Sequence, residues 1–344
     1  MPVDEQSEAE MTSALRRMGL ADNEPPSFTP LTGGVSSDIF LVRSAGKTFV
    51  VKRALAKLRV AADWRAPLER NEYELAWLET AARIVPEAVP AILGHDREAG
   101  LFAMAYLAPE DYPVWKAQLR DGKVDGAFAA EVGQRLGTLH AATADDPLLA
   151  RRFPTDDIFH SIRLEPYLEA TAAKHPGVAG RLFELSRRTL AAHRCLVHGD
   201  VSPKNILCGP RGPVFLDAEC AWYGEPAFDL AFCLNHLLLK CLWNRAAAPA
   251  LLEAFDALAS AYLAQVTWEK PSALEARAAA LLPGLFLARI DGKSPVEYVT
   301  RDAERESVRQ TAIPLILDAP ARLSEIRAAW AARLATLPAD EKHD

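Results

Sequence analysis

This sequence predicts an α+β protein of two lobes: a β-rich N-terminal lobe with one helix, then a larger, mostly helical C-terminal lobe. Three observations predict it. Up to about residue 106, short apolar runs of period two alternate with turns carrying Gly, Asp and Ser. Beyond residue 115 the apolar spacing changes to three and four over long stretches. Within that helical region a single strand-like insertion, residues 195–217, sets Asp200, Asn205 and Asp217 at the edges of apolar runs. A chain of 344 residues suffices for one large or two linked domains.

Residues 4–18 read as a short amphipathic helix ended by Gly19 and the turn-rich ADNEPPS. A strand at 28–31, the loop Thr32-Gly33-Gly34-Val35-Ser36-Ser37, and strands at 39–43 and 48–53 follow. Residues 67–83 form a helix with Leu75, Leu78 and Ala82 on one stripe and Pro67 in its first turn. Strands at 91–95 and 101–106 flank the turn 96–100, and 107–113 is a Pro-containing linker. The expected division is therefore an N-lobe of 1–106, a hinge of 107–113 and a C-lobe of 114–344. The C-lobe helices are expected at about 126–143, 177–193, 226–241, 248–266, 272–288 and 319–335, with 226–344 as the substrate-side region.

Composition limits the function classes. Half of the residues are hydrophobic, a quarter are charged and the formal net charge is −7, so no broad basic surface for nucleic acid is expected. The five cysteines, Cys195, Cys208, Cys220, Cys233 and Cys241, lack Cys-x-x-Cys spacing and lie in apolar runs, which predicts buried free thiols in a reducing compartment. The acidic start MPVDEQSEAEM does not read as a secretory signal, and the apolar stretches are interrupted by polar residues or Pro before membrane-spanning length. A cytoplasmic protein without membrane or nucleic-acid partners is the expectation.

The insertion carries the chemistry. LVHGDVSPKNILCGPRGPVFLDAE is a loop, a strand, a turn at 209–212 and a second strand with an acid at its end. One carboxylate, then an amide five residues on, then a carboxylate twelve further, is the layout for phosphoryl transfer: Asp200 for the substrate hydroxyl, Asn205 and Asp217 for Mg²⁺. Glu219, two residues beyond Asp217, falls on the same side of an extended run and would bind a second metal or only its water. His198 reads as a structural histidine in the loop 198–205, and Asp229 as a brace for that loop.

The N-lobe offers the other half. Gly33 and Gly34 let backbone N–H groups approach phosphates, with hydroxyls from Ser36 or Ser37, although a glycine pair between strands is by itself an ordinary hairpin turn. Alternation puts Lys52 on a face with Val50, opposite Val51 and Arg53, where a lysine requires an anion such as the α/β-phosphates. Its expected carboxylate partner comes from the next helix: Glu72 on the stripe of Leu75 and Leu78 is preferred, Glu69 is the alternative, and Glu74 and Glu79 read as solvated. No Phe-Gly follows Asp217, no Arg precedes Asp200, and about a dozen residues separate Asp217 from the helix near Pro226. That is too short for the activation segment of a protein kinase.

With LTGGVSS, FVVKR, ERNEYELAWL, AMAYL, RLGTLH, HGDVSPKN and LDAECAWYGEPAFDLA, the chain resembles the aminoglycoside phosphotransferase and choline kinase superfamily. The last motif is similar to the methylthioribose kinase branch, although its paired sugar-binding arginines are not evident and a lone Arg289 stands near Asp291. The resemblance implies a bilobal protein-kinase-like fold, ATP as donor, Mg²⁺ as cofactor and a small-molecule hydroxyl acceptor. It implies that Asp200 is the catalytic base, Asn205 and Asp217 are metal ligands, and the 104–107 segment, including Met104 and Tyr106, is the adenine-binding hinge. Acceptors open at this point are aminoglycosides, amino alcohols, hydroxyl-bearing amino acids and methylthioribose-like sugars. Trp222, Tyr223, Trp243 and Trp268 could cage a cation or stack on a sugar, or simply pack. A catalytically silent nucleotide-binding module of the same fold is the alternative, disfavoured by the joint retention of Lys52, Asp200, Asn205 and Asp217.

Overall fold

Period-two alternation builds the first sheet. In the computed structural model, which describes residues 5–31, 37–54 and 69–337, helix α1 (Glu5–Arg17) precedes strands β1 (Ser27–Pro30), β2 (Ser37–Ser44) and β3 (Lys47–Ala54). Helix α2 (Arg70–Ile84) follows, then β4 (Ile92–Asp96) and β5 (Leu101–Ala105). The five strands form one antiparallel sheet in the order β1-β2-β3-β5-β4. One face, with Phe40, Val42, Phe49, Val51, Leu101 and Ala103, closes on Met11, Ala14 and Leu15 of α1. On the other face, Phe102 joins Trp77 and Leu78 of α2 in the core that runs on into the helical lobe. The alternation along β3 is as the sequence predicts, with Arg53 reaching Ser7 of α1 while Lys52 faces α2.

The remainder is predominantly helical: α3 (Trp115–Arg120), α4 (Gly126–Thr143), α5 (Pro147–Arg152), and a continuous run of α6 (Asp156–Phe159), a π-helical stretch (His160–Glu169) and α7 (Ala170–Lys174). Then come α8 (Ala179–Leu190), β6 (Cys195–Val197), β7 (Ile206–Gly209), β8 (Gly212–Phe215), β9 (Trp222–Gly224), α9 (Pro226–Trp243), α10 (Ala248–Leu263), α11 (Pro271–Asp291), α12 (Asp302–Leu317) and α13 (Leu323–Thr336). Helix α9 is buried almost throughout; α10 and α11 pack against it, and α4 packs against α10. Five elements were not expected from the sequence: α3, α5, the 156–174 run, β9 and α12. Pro166 and Pro314 interrupt two of them internally, and α12 opens on the polar run DAERES, which hides its apolar stripe. Among the described residues, 245–263 is long and apolar enough to cross a membrane, contrary to the expectation of interrupted apolar stretches. Its Leu251, Phe255, Leu258 and Tyr262 instead lie in the protein core. All five cysteines are free; four are buried and Cys208 is half-buried.

Gly133 and Gly137 of α4 let α10 approach closely. A Cβ on Gly133 would stand 2.2 Å from the Leu258 carbonyl oxygen, and one on Gly137 2.7 Å from Cβ of Gln265. Backbone cannot give way cheaply, so Gly133→Ala should lower stability by about 1–3 kcal/mol. Gly126→Ala, at the first turn of α4 with open space around it, should be neutral or slightly stabilising. Urea denaturation of the two variants checks the contrast.

Candidate active site

Two short two-stranded sheets, β7–β8 and β6–β9, create the site. Register in β7–β8 pairs Ile206 with Phe215, and the Leu216 N–H donates to the Asn205 carbonyl at 2.9 Å. Asn205 and Asp217, distant in sequence, therefore sit on adjoining strand ends. Pairing of β6 with β9 likewise sets His198–Asp200 beside 218–221. Gly199 is at φ 77°, and a Cβ there would meet the Cys220 carbonyl oxygen at 2.4 Å, so only glycine fits. Asp217 itself is left-handed at φ 66°, a conformation short acidic side chains tolerate.

Asp229, in the first turn of α9 and fully buried, accepts from the backbone N–H groups of His198 (2.7 Å) and Gly199 (2.8 Å). His140 Nε2 lies 3.3 Å from the same carboxylate. Asp229 is thus the loop's brace, as its position suggested. His198 is a structural residue too: Nε2 faces the Leu216 carbonyl at 3.0 Å and Nδ1 accepts from the Asp200 N–H at 3.2 Å. That pattern requires the neutral Nε2-protonated ring, and burial lowers its pKa accordingly. Trp77 meets the ring edge-on, 4.8 Å between centroids, which ties α2 to the loop.

The Asp200 carboxylate is 3% exposed and holds three donors on Oδ2: Arg163 at 2.9 Å, Asn205 Nδ2 at 2.8 Å and Lys204 at 3.2 Å. Burial opposes its ionisation, but Arg163 and Lys204 outweigh burial and hold its pKa below the usual carboxylate range. Arg163 also donates through Nε to the Gly199 carbonyl at 2.5 Å. It comes from the π-helical stretch and was not among the predicted residues. A local signal existed only in HSIRLEPYLE, an otherwise apolar-spaced run with one arginine.

On β3, Lys52 is 2% exposed and its ammonium lies 2.8 Å from Glu74 Oε1 and in direct contact with Asp217 Oδ1. Burial disfavours this charge, yet Asp217, Glu74 and Glu219 outweigh it, so Lys52 stays protonated and its pKa rises. The expected partner is corrected here. Glu72 is exposed and paired with Arg97 at 2.9 Å, Glu69 is exposed and Glu79 pairs with Arg152, whereas Glu74 is 1% exposed. The buried face of α2 runs through Asn71, Glu74, Trp77, Leu78 and Ala81, and Leu75 lies at its flank. Glu219 meets Arg70 at 3.0 Å, another buried arginine absent from the prediction.

Gly33, Gly34 and Ser36 lie outside the described residues. Ser37 opens β2, buried opposite Ala54. Met104 sits on β5 between Val50 and Ile92, and Tyr106 follows it, half-buried at the start of the connection to the helical lobe. Among the described residues no cluster of three or more His, Cys, Asp and Glu side chains forms a ready-made metal site. The Asn205 amide and the Asp217 and Glu219 carboxylates are nonetheless all hard oxygen donors. That set suits Mg²⁺, which takes few protein ligands and completes its shell with phosphates and water.

Comparison with known proteins accords with this geometry. Methylthioribose kinase 2 of Oryza sativa subsp. japonica is 23% identical over 228 residues, covering 58% of this chain and 53% of the relative. Methylthioribose kinase of Escherichia coli O45:K1 is 25% identical, covering 58% of this chain and 54% of the relative. The chain thus spans about half the length of the curated relatives it matches. An amicoumacin kinase solved with AMP-PNP, Ca²⁺ and its antibiotic shares the fold, with a TM-score of 0.52 and 16% identity over 93% of this chain and 96% of that one. The model of the phosphotransferase enzyme family, APH, matches residues 27–274, well over half of the sequence, and the chain belongs to that family.

Proposed function

We propose that the chain is an ATP- and Mg²⁺-dependent phosphotransferase that moves the γ-phosphoryl group to a hydroxyl of a small molecule. The observation that carries this reading is the meeting of Lys52 on β3 with Asp217 after β8, and of Asp200 with Asn205 in the loop between β6 and β7. In this reading 1–106 and 114–344 are the two lobes, with 107–113 as the hinge between them and the 104–107 backbone beside the adenine. Gly33, Gly34, Ser36 and Ser37 would cover the phosphates. The protein acts in the cytoplasm, and its acceptor belongs to the aminoglycoside-, amino alcohol- or sugar-like range, the names of the methylthioribose kinase relatives pointing to the sugar-like part of it.

Lys52, oriented by Glu74, would hold the α/β-phosphates. Asn205 and Asp217 would hold Mg²⁺, and Glu219, already engaged with Arg70, would reach a second ion or its water. Bound Mg²⁺ supplies charge neutralisation on the phosphates. Asp200 orients the acceptor hydroxyl. With three donors on Oδ2 it is an acceptor of fixed direction rather than a strong base. A loose phosphoryl-transfer transition state needs little more, because the hydroxyl proton leaves late. Positioning and electrostatics supply most of the catalysis.

Asp200→Asn should lower phosphate transfer by about 10²-fold or more while leaving nucleotide affinity nearly unchanged. ADP release across a panel of hydroxylated acceptors, with a fluorescent nucleotide titration alongside, measures both; near-wild-type transfer would refute the assignment. Glu74→Gln should lower kcat/KM by about tenfold or more through a misplaced Lys52, and Glu72→Gln should change it by less than about twofold. Equal effects of the two substitutions would contradict the corrected pairing.

A further inference from the structure

Beyond Asp200 the helical lobe gathers more positive charge than its acids match. Lys240 of α9 is 1% exposed, yet its ammonium makes no hydrogen bond or ion pair with any described residue. It lies 4.8 Å from the ring centroid of Trp243 and 4.7 Å from that of Tyr298, two rings stacked at 4.3 Å. Two further polar atoms here are buried without a partner, Arg289 Nε and the Tyr298 hydroxyl. Arg289 Nη1 donates only to neutral groups: the Ser294 carbonyl (2.5 Å) and hydroxyl (3.0 Å) and the Tyr167 hydroxyl (3.2 Å). Lys116, 5.8 Å from the Trp243 ring, is matched by Glu297, and Lys204 by Asp200. Lys240 and Arg289 are left without a carboxylate among the described residues.

A buried, unpaired ammonium is costly. Burial, then repulsion from Lys116 and Arg289, brings Lys240 down to about 7, with Glu297 opposing. His236, one turn earlier, is kept neutral by burial and by Arg289, Lys240, Lys204 and Lys116. The positive field reaches the reaction centre, since Arg163, bonded to Asp200, stands 5.9 Å over the ring of the same Tyr167 that Arg289 contacts. The aromatic pair that could have caged a cationic acceptor is already occupied by the chain's own lysine, and a second cation there would be repelled.

We propose that the phosphate acceptor carries an oxyanion, a carboxylate or a phosphate ester, that seats against Lys240, Arg289 and the Tyr298 hydroxyl while its free hydroxyl reaches Asp200. This rests on the phosphotransferase reading. In the transfer, a P–O bond forms to that hydroxyl oxygen and the bond from the γ-phosphorus to the bridging oxygen of ATP breaks. ADP leaves, and the hydroxyl proton passes to Asp200 and then to water.

The test uses the full chain saturated with Mg·ADP, so that the nucleotide-side cations are occupied. Calorimetry compares matched probes: glycerate with glycerol, ribose 5-phosphate with ribose, and serine with ethanolamine. At least one anionic member should bind more tightly than its partner by about tenfold or more, and the tighter of the carboxylate and phosphate arms identifies the source of the anion. Lys240→Met and Arg289→Gln should each weaken that binding by about tenfold. The inference is overturned if no anion binds, if neutral or cationic probes bind better, or if both variants retain wild-type affinity. Failure of Mg·ADP itself to bind, seen in the first titration, would instead refute the phosphotransferase reading and the inference with it.

Discussion

The site depends on one buried cation. Lys52 stands between Glu74 of α2 and Asp217 after β8, so a single ammonium joins the N-terminal sheet, the helix behind it and the end of the β7–β8 hairpin. Removing such a group from water costs several kcal/mol, and one carboxylate seldom compensates fully. Two carboxylates from different elements do so, and they also fix its direction. The arrangement is a poor source of stability and a good source of geometry: Lys52 can neither turn away nor lose its proton while both partners are in place. Phosphate oxygens entering the cleft would meet a cation whose orientation has already been set, so little reorganisation remains for the moment of transfer.

A second constraint fixes the other reactive groups relative to that cation. The Asp229 carboxylate ties down the N–H groups of His198 and Gly199, and His198 in turn ties the Leu216 carbonyl next to Asp217. The 198–205 loop and the end of β8 are therefore held through one aspartate and one neutral histidine. Trp77 packs on that histidine from α2, so the helix that carries Glu74 also leans on the loop that carries Asp200. Each link is a buried hydrogen bond or ring contact with a unique geometry, and a displacement at one end is felt at the other.

Much of this was legible in the sequence because it is local. The period-two runs identified all five N-terminal strands, and alternation placed Lys52 on the inner face of β3. The spacing of Asp200, Asn205 and Asp217 works because a loop and one tight hairpin separate them. Glu74 was missed for a definite reason. Counting the stripe from Leu75 put Glu72 inside, whereas Trp77 and Leu78, the largest apolar neighbours, define a face rotated by about a quarter turn. Arg163 and Arg70 were missed because their partners lie far away along the chain, and no periodicity reports a pairing across folded elements. Helix α12 was hidden by its polar opening and internal proline, which outweigh a narrow apolar stripe in any local reading.

Net charge was the least informative quantity about the site itself. The chain is acidic overall at −7, yet Lys116, Lys204, Lys240 and Arg289 act together on His236, with only Glu297 matching Lys116 and Asp200 shared by Lys204 and Arg163. Several carboxylates of the helical lobe are already matched: Asp291 by Arg309 and His175, Glu225 and Glu269 by Arg277, Glu165 by Lys293. The imbalance is therefore local, and in a buried setting local charge decides what may enter. A cationic acceptor would have to displace or outcompete Lys240 beside Trp243 and Tyr298. An anionic one would satisfy polar groups that the fold leaves unmatched and would draw its own hydroxyl toward Asp200 through the same field. In the proposed reaction the fold would set the chemistry, and the unpaired cations would select among acceptors.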